Sequence, residues 1–591
     1  MTDTTTPGAS RVAAQTAAGE SGTFSHRQIL AILSGLMLGM FLAALDQTIV
    51  ATSIRTIADD LQGFSLQAWA TTAFLITSTI STPLYGKLSD LYGRKPCFLT
   101  AIVIFLFGSA LCGLSQSMYQ LAAFRAVQGL GAGGLFSMAL AIIGDIVPPR
   151  ERSKYQGYFL AVFGTSSVLG PVVGGLLAGT STIGGVAGWR WIFYLNIPIG
   201  FAALVVVTKV LHLPHEERRH HRIDWPGALA LVVCLVPLLT VAEQGRTWGW
   251  GSGGALACYA IGLVGLIGFI LIERAYEDEA LLPLRMMRDR TFAVGSASSL
   301  IVGMGMFGAL ALLPQYLQIV KGSTPTVGGL QLLPLVLGIM SGATLSGQVI
   351  ARTGRYKRFP VMGTAFMVVA LLLFSLVGAE TPLWRTMLVM LLFGVGLGFN
   401  MQPIILAVQN AVPARQMGVA TSSVTFFRQM GGTIGTAVFL SVLFSTLTGS
   451  IASEVRTATR TPAFQQALVE HPDQAPSKNG ASGALEDTSF INNLDPRLAA
   501  PFKSGFSDSM DLIFLLAAGV LTIGLVTTAL LPELPLRTQS GLQARADEDR
   551  SAGRDSADGN SADSNSIDGD PTEGDPSGIP SDVAVGPGTP H

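Results

Sequence analysis

Three charged residues, Asp46, Arg125 and Arg428, each stand inside a stretch of apolar residues long enough to cross a lipid bilayer. A charge in that setting has few uses: it carries a proton, pairs with an opposite charge, or binds a charged ligand. On insertion scales an ionised group at the bilayer centre costs about +2.5 to +3.5 kcal/mol, so it persists only if paired, hydrated, neutralised or functional. Desolvation disfavours the charged form of a carboxyl, which makes Asp46 a candidate proton carrier. Asp46 lies some nineteen residues from the start of its stretch and Arg125 about six into its own. With one stretch running outward and the other inward, the two reach a similar depth, so pairing is feasible. An arginine alongside opposes the desolvation of the carboxylate, and a substrate or helix movement that breaks the pair would load or release the proton.

Other spacings point to conformational work. In Gly86-Lys-Leu-Ser-Asp90-Leu-Tyr-Gly93-Arg94-Lys95-Pro96 the glycines permit a tight turn and close helix approach. Asp90 and Arg94 are placed for charge-assisted bonds between helix ends. The same Gly, seven positions to Gly, then Arg recurs at Gly347, Gly354 and Arg355, with Ala351 where the acid would be. Gly157, Ser166, Gly170-Pro171 and Gly174-Gly175 put small residues on one stretch, allowing close packing, with Pro171 giving a bend. Gln128, Asn400 and Gln402 in mid-stretch, and Gln315 and Tyr316 near a stretch end, are candidates to line a substrate cavity, although single polar residues also bind helices together. Arg428 should face a bundle interior or cavity, where it binds an anionic group or pairs with an acid.

Absences narrow the field. None of the seven histidines lies in an apolar stretch, and no Gly-x-x-x-x-Gly-Lys-Ser/Thr loop is present. No catalytic triad or metal cluster is visible, so no metal or other cofactor is expected and the chain reads as no enzyme. The four cysteines, Cys97, Cys112, Cys234 and Cys258, fall within or at the edge of apolar runs and read as small core residues.

The elements that hold these residues follow from composition. Hydrophobic residues make up 49% of 591, charged residues 13%, and the formal net charge is −1. Soluble chains carry about 25% charge. The near-zero net charge gives no reason to expect a nucleic-acid partner. Continuous, non-alternating apolar runs indicate helices and exclude a barrel. The expectation is an all-α membrane protein with 14 transmembrane helices, at roughly 28–50, 67–85, 97–115, 119–144, 155–178, 189–211, 226–242, 254–273, 291–319, 327–350, 361–379, 386–412, 417–447 and 510–531. Basic residues concentrate in alternate short loops, such as Lys87, Arg94, Lys95, then Arg150, Arg152, Lys154, then Arg218, Arg219, Arg222, which predicts cytoplasmic termini. The repeated loop divides the chain into two six-helix halves, 28–211 and 291–531, with two inserted helices at 226–273. Residues 1–27 form an N-terminal cytoplasmic tail without a cleavable signal. Residues 448–508 make a polar external loop, with Thr461–Glu470 suited to a short helix. The acidic tail 540–591, poor in large apolar residues, is expected to be disordered.

Together the Gly86–Pro96 loop, Leu45-Asp46-Gln47-Thr48-Ile49-Val50, Arg125-Ala-Val-Gln128-Gly129 and the glycine series of the fifth stretch resemble the major facilitator superfamily, specifically its fourteen-span drug/proton antiporter branch. The likeness covers about residues 28–531, with Ser166 replacing one glycine of the fifth-span motif. It implies proton coupling at Asp46 and Arg125, and conformational gating by Gly86, Asp90, Gly93 and Arg94 with Asp145 as the partner of Arg94. Gly157, Gly170, Pro171, Gly174 and Gly175 take the place of the motif associated with export. The implied function is proton-coupled efflux of hydrophobic drugs or amphiphiles by alternating access in the plasma (inner) membrane. The partners are protons, the lipid bilayer and a small hydrophobic or cationic substrate, and the chain is expected to be a monomer. A dedicated endogenous lipid, siderophore or metabolite as cargo, or proton-coupled uptake, are the alternatives.

Overall fold

Helices run through every apolar stretch read from the sequence. The computed structural model describes residues 25–61, 67–212, 224–276, 280, 282, 284–323, 325–413, 416–471, 491, 494–537, 540 and 543–544. The N-terminal tail before Ser25, the centre of the 448–508 loop, nearly all of the acidic tail, and Arg218, Arg219 and Arg222 lie outside them. In chain order the helices are α1 (His26–Asp60), α2 (Gln67–Tyr92), α3 (Arg94–Leu114), α4 (Met118–Ile146), α5 (Pro149–Gly179), α6 (Arg190–Tyr194), α7 (Asn196–Val210), α8 (Trp225–Trp248) and α9 (Gly253–Tyr276). They continue as α10 (Arg290–Gln315), α11 (Pro325–Gln331), α12 (Leu333–Thr353), α13 (Arg358–Phe374), α14 (Leu383–Met401), α15 (Pro403–Ala411), α16 (Met417–Ala458), α17 (Pro462–Glu470) and α18 (Pro496–Ala529). A two-stranded antiparallel hairpin, Thr182–Ile183 with Val186–Ala187, precedes α6.

Among the described residues, eleven helical segments are long and apolar enough to cross a membrane by length and composition. Helices α2, α5 and α13 are not in that group. α13 has only 17 residues. In α2 the apolar content is diluted by Thr72, Ser78, Thr79, Ser81 and Thr82, all buried. Hydroxyls of this kind can bond back to their own helix, as Thr82 and Ser81 do to the Ser78 carbonyl at 2.8 and 3.2 Å, whereas the buried Thr72 hydroxyl has no partner among the described residues.

Three predicted spans change, for identifiable reasons. The stretch 386–412 is broken between α14 and α15, because Pro403 has no N–H to return to the preceding turn. α16 runs 42 residues, well past 447, and α18 starts at Pro496 rather than near 510. Hydropathy marks where polar side chains begin, whereas helices end where their hydrogen bonds are capped. Asp495 caps α18, accepting from the Arg497 amide at 2.9 Å, with Pro496 in the first turn. Phe464, Ala467 and Leu498 bury together and hold α17 on α18.

Helix packing decides what meets what. α2 packs along α4, α3 along α4, and α1 against α5 and α7. α10, α13 and α16 surround α18, while α12 pairs with α14. One buried apolar cluster runs from Ile29 to Leu211 and another from Val302 to Leu521. α8 and α9 pack on each other, and α8 also touches α2 and α16. α9 turns Ile261, Leu263, Val264 and Leu271 outward, a contiguous apolar face of the kind a soluble chain rarely exposes. After α18 the backbone turns back over α15. The Tyr356 hydroxyl donates to the Pro532 carbonyl at 3.0 Å and accepts from the Leu534 amide at 2.9 Å. Asn410 donates to the Pro535 carbonyl at 3.0 Å and accepts from the Arg537 amide at 2.9 Å.

Candidate functional site

α1 and α4 bring Asp46 and Arg125 into contact, Nη1 to Oδ2 at 2.6 Å, with both side chains almost fully buried. The residues around them complete the carboxylate's shell. Gln128, one turn along α4, donates to Asp46 Oδ1 at 2.9 Å, and Asn196, at the start of α7, donates to the same oxygen at 2.7 Å. Arg125 also donates to Gln128 Oε1 at 2.8 Å, and its guanidinium lies 4.0 Å above the Phe74 ring. Ser109 accepts from Asn196 at 2.9 Å and passes its own proton to the Phe193 carbonyl at 2.9 Å. Every contact to Asp46 is therefore a donor, an arrangement that suits the ionised carboxylate. Among the described residues, Asn196 Oδ1 is buried with no partner.

The register of α1 against α5 fixes the height of Asp46. The Thr48 hydroxyl donates to the Ser166 carbonyl at 3.0 Å. A Cβ at Gly170 would run into the Thr48 side chain, and one at Gly174 into Thr52. Gly175 faces open space. Gly157 and Pro171 belong to the same helix, outside the described side chains.

A second polar cluster lies where α2, α3 and α4 meet α16. Gly93, at φ +91°, makes the turn between α2 and α3, a backbone conformation that favours glycine. Arg94 then pairs with Asp90 at 2.6 Å and with Asp145 at 2.7 Å, all three nearly dry. Asp90 Oδ2 accepts from the Val419 amide at 2.9 Å, which sets a carboxylate against the positive N-terminal end of α16. Gly86 lies against Ser422, leaving no room for a side chain. Arg152 of α5 adds a crossing that sequence reasoning had treated only as a loop cation. It donates to the Val147 carbonyl at 2.8 Å and to Gln409 Oε1 of α15, and Gln409 in turn donates to Thr421 at 2.7 Å.

The six candidate cavity residues do not converge. Gln128 belongs to the Asp46 network. Tyr316 is buried, its hydroxyl given to the Val377 carbonyl at 3.0 Å. Gln315 ends α10, and Gln402 occupies the α14–α15 break. Among the described residues, Asn400 and Arg428 line a cleft with Ser299 and Met306 of α10 and Leu397 of α14. Asn196 and Gln409 were not singled out from sequence, where one amide in an apolar run gives no signal of its partner.

Many membrane-crossing helices, packed around a buried carboxylate–guanidinium pair and joined across a charged seam, are the architecture of a secondary transporter. The chain belongs to the Major Facilitator Superfamily, whose profile matches residues 36–436. It is a multi-pass membrane transporter and no enzyme. It is 33% identical over 524 residues to multidrug resistance protein 3 of Bacillus subtilis (strain 168), covering 87% of this chain and 98% of that one. It is 40% identical over 326 residues to a tetracycline resistance determinant of Streptomyces rimosus, covering 53% of this chain and 93% of that one. Among solved structures, the proton:xylose symporter XylE aligns with TM-score 0.53 at 15% identity, over 88% of this chain and 99% of that one. The human organic anion transporter MFSD10 aligns with TM-score 0.51 at 16% identity, over 83% of this chain and 99% of that one. These structural likenesses concern the fold.

Proposed function

We propose that this transporter exports hydrophobic drugs or similar amphiphiles in exchange for protons, by alternating access. The observation that carries the reading is the donor-only shell of Asp46: Arg125, Gln128 and Asn196 all give hydrogens to it. A neutral carboxyl has one O–H that needs an acceptor. A protonated Asp46 therefore needs one of these donors to give way, either by an amide turning its oxygen toward the carboxyl or by Arg125 parting from it. The parting of Arg125 is the change that links to movement of α4 against α1. Loss of the Asp46–Arg125 pair is then the step that ties proton entry to helix movement. The relatives named for multidrug and tetracycline resistance support efflux of drug-like cargo.

In this reading the chain crosses the plasma (inner) membrane 14 times with both termini cytoplasmic and acts as a monomer. The two six-helix halves, 28–211 and 291–531, rock about the central site, and the pair at 226–273 rides on the first half and α16. The seam of Asp90, Arg94 and Asp145 against α16 is the closed cytoplasmic gate. Asp46 takes its proton from outside and releases it inside in exchange for substrate.

The test is the purified full chain in liposomes with an imposed pH gradient and a small panel of cationic and neutral dyes. Gradient-driven dye movement that disappears in Asp46→Asn, with folding retained, is the expected result. Equal dye movement without a gradient would overturn the reading.

A further inference from the structure

Among the described residues, Arg428 is a guanidinium without a counter-charge. It sits about a quarter of the way along α16, between residues that fix the helix on both sides: Gln429 accepts from Thr82 of α2 at 3.3 Å, and Gly431 and Gly435 let α16 lie directly on the backbone of α10. The side chain is thereby aimed at the α14–α15 break. There it makes one hydrogen bond, from Nη1 to the Met401 carbonyl at 3.3 Å. Among the described residues no carboxylate pairs with it, in contrast to Arg94 and Arg125, which are both satisfied. The residue is half-buried and lines a cleft together with Ser299, Met306, Leu397 and Asn400. The amide of Asn400 is occupied, donating to the Gly396 carbonyl at 2.9 Å and accepting from Thr364 at 3.1 Å, so it forms wall rather than partner.

A half-buried cation that makes one hydrogen bond among the described residues is matched by a planar or tetrahedral oxyanion, which a guanidinium holds by two parallel bonds. Apart from Ser299 and Asn400 the lining is apolar, with Val302, Met306, Leu397, Met401 and Ile404, which suits a hydrocarbon or aromatic body attached to that oxyanion. We propose that the Arg428 cleft binds the acidic group, a carboxylate or a phosphate, of an amphiphile. The cargo class is then widened from cations and neutral molecules to acidic amphiphiles. Only the word cargo rests on the exporter reading; the site itself does not.

The probe is a fluorescent fatty acid compared with its methyl ester, titrated into the purified full chain in zwitterionic phosphatidylcholine nanodiscs. The acid should bind about tenfold more tightly than the ester, the worth of one charge-assisted contact. Arg428→Gln should bring the two affinities together, and Arg428→Lys should keep part of the difference, as charge without the fork. Equal binding of acid and ester by the unaltered protein overturns the proposal, whatever the variants do, as does a preference that survives in Arg428→Gln. Adding phosphatidylglycerol separates the sources: if it erases the Arg428-dependent preference, the oxyanion held in the membrane is a lipid headgroup, and if it does not, the site is reserved for cargo. Gradient-driven movement of a cationic dye is followed in parallel. Loss of acid preference with dye movement intact removes this site and leaves the exporter reading standing, and the reverse pattern removes the exporter reading and leaves the site.

Discussion

Asn196 donates to Asp46 Oδ1 across 2.7 Å while its own Oδ1, buried in the same network, has no partner among the described residues. A dry acceptor without a donor costs on the order of 1–3 kcal/mol, so its presence next to the proton carrier calls for a use. Half a turn of the amide would present that oxygen to Asp46 as the acceptor a protonated carboxyl needs. Asn196→Leu, which can neither donate nor accept, should lower gradient-driven transport at least tenfold. Asn196→Ser, which can do both, should recover part of it. Vesicle flux measurements on the two variants check this; equal loss in both would reduce Asn196 to a packing residue.

The Asp46–Arg125 pair can be separated into its structural and functional parts. Arg125→Leu leaves a buried carboxylate without its counter-charge, a change expected to cost about 3–5 kcal/mol. Adding Asp46→Asn removes the uncompensated charge and should restore most of the lost thermal stability in detergent. Transport should stay absent in the double variant. Restored stability with restored coupling would show that the pair is not the proton site.

At the seam, Asp90→Asn weakens the contact with the Val419 amide at the start of α16 and the pairing with Arg94. Loss of a carboxylate at a helix N-terminus is worth about 0.3–1 kcal/mol, so the seam should open roughly two- to fivefold more often. A cysteine at Ser422, which lies under Gly86 when the seam is closed, should react with a maleimide faster by that factor. An unchanged rate would mean that Asp90 does not hold this end shut.

The loop beyond α16 offers a pH test. Hydrogen bonds from Arg497 hold the Glu470 and Asp495 carboxyls below the usual carboxylate range. Because these values are depressed in the folded state, their contribution is fully present above the ordinary carboxylate range, near pH 4. It is lost as pH falls through the depressed values. Protection of α17 from hydrogen exchange, corrected for intrinsic rates, should therefore be flat from neutral pH to about 5 and fall below about 4, with α16 unaffected. In Arg497→Ala that protection should already be low at neutral pH.

What the sequence revealed followed from cost. A charge in an apolar run is expensive wherever it faces, so Asp46, Arg125 and Arg428 stood out at once, and the glycine and charge spacing of Gly86–Pro96 marked a helix junction. What stayed hidden was partnership. Asn196 is 150 positions from Asp46 and Gln409 is 257 from Arg152, and no local pattern encodes which amide a folded bundle will set against which charge. The partners of Arg152 stayed hidden for the same reason: a cation near a short loop satisfies the rule for cytoplasmic anchors whether or not it is also buried. The start of α18 was missed because capping by Asp495 overrides a drop in hydropathy.

The backbone tie after α18 adds a practical point. Asn410 holds residues 535–537, and its neighbour Gln409 is the acceptor of Arg152. Whatever separates Arg152 from Gln409 must carry α15 with it, and therefore also the strand tied to Asn410. Residues 532–537 are thus a pointer attached to the moving side of the seam. A fluorophore at Arg537 read against one at Lys95 would register each opening as a change in distance, without altering a residue that makes the seam.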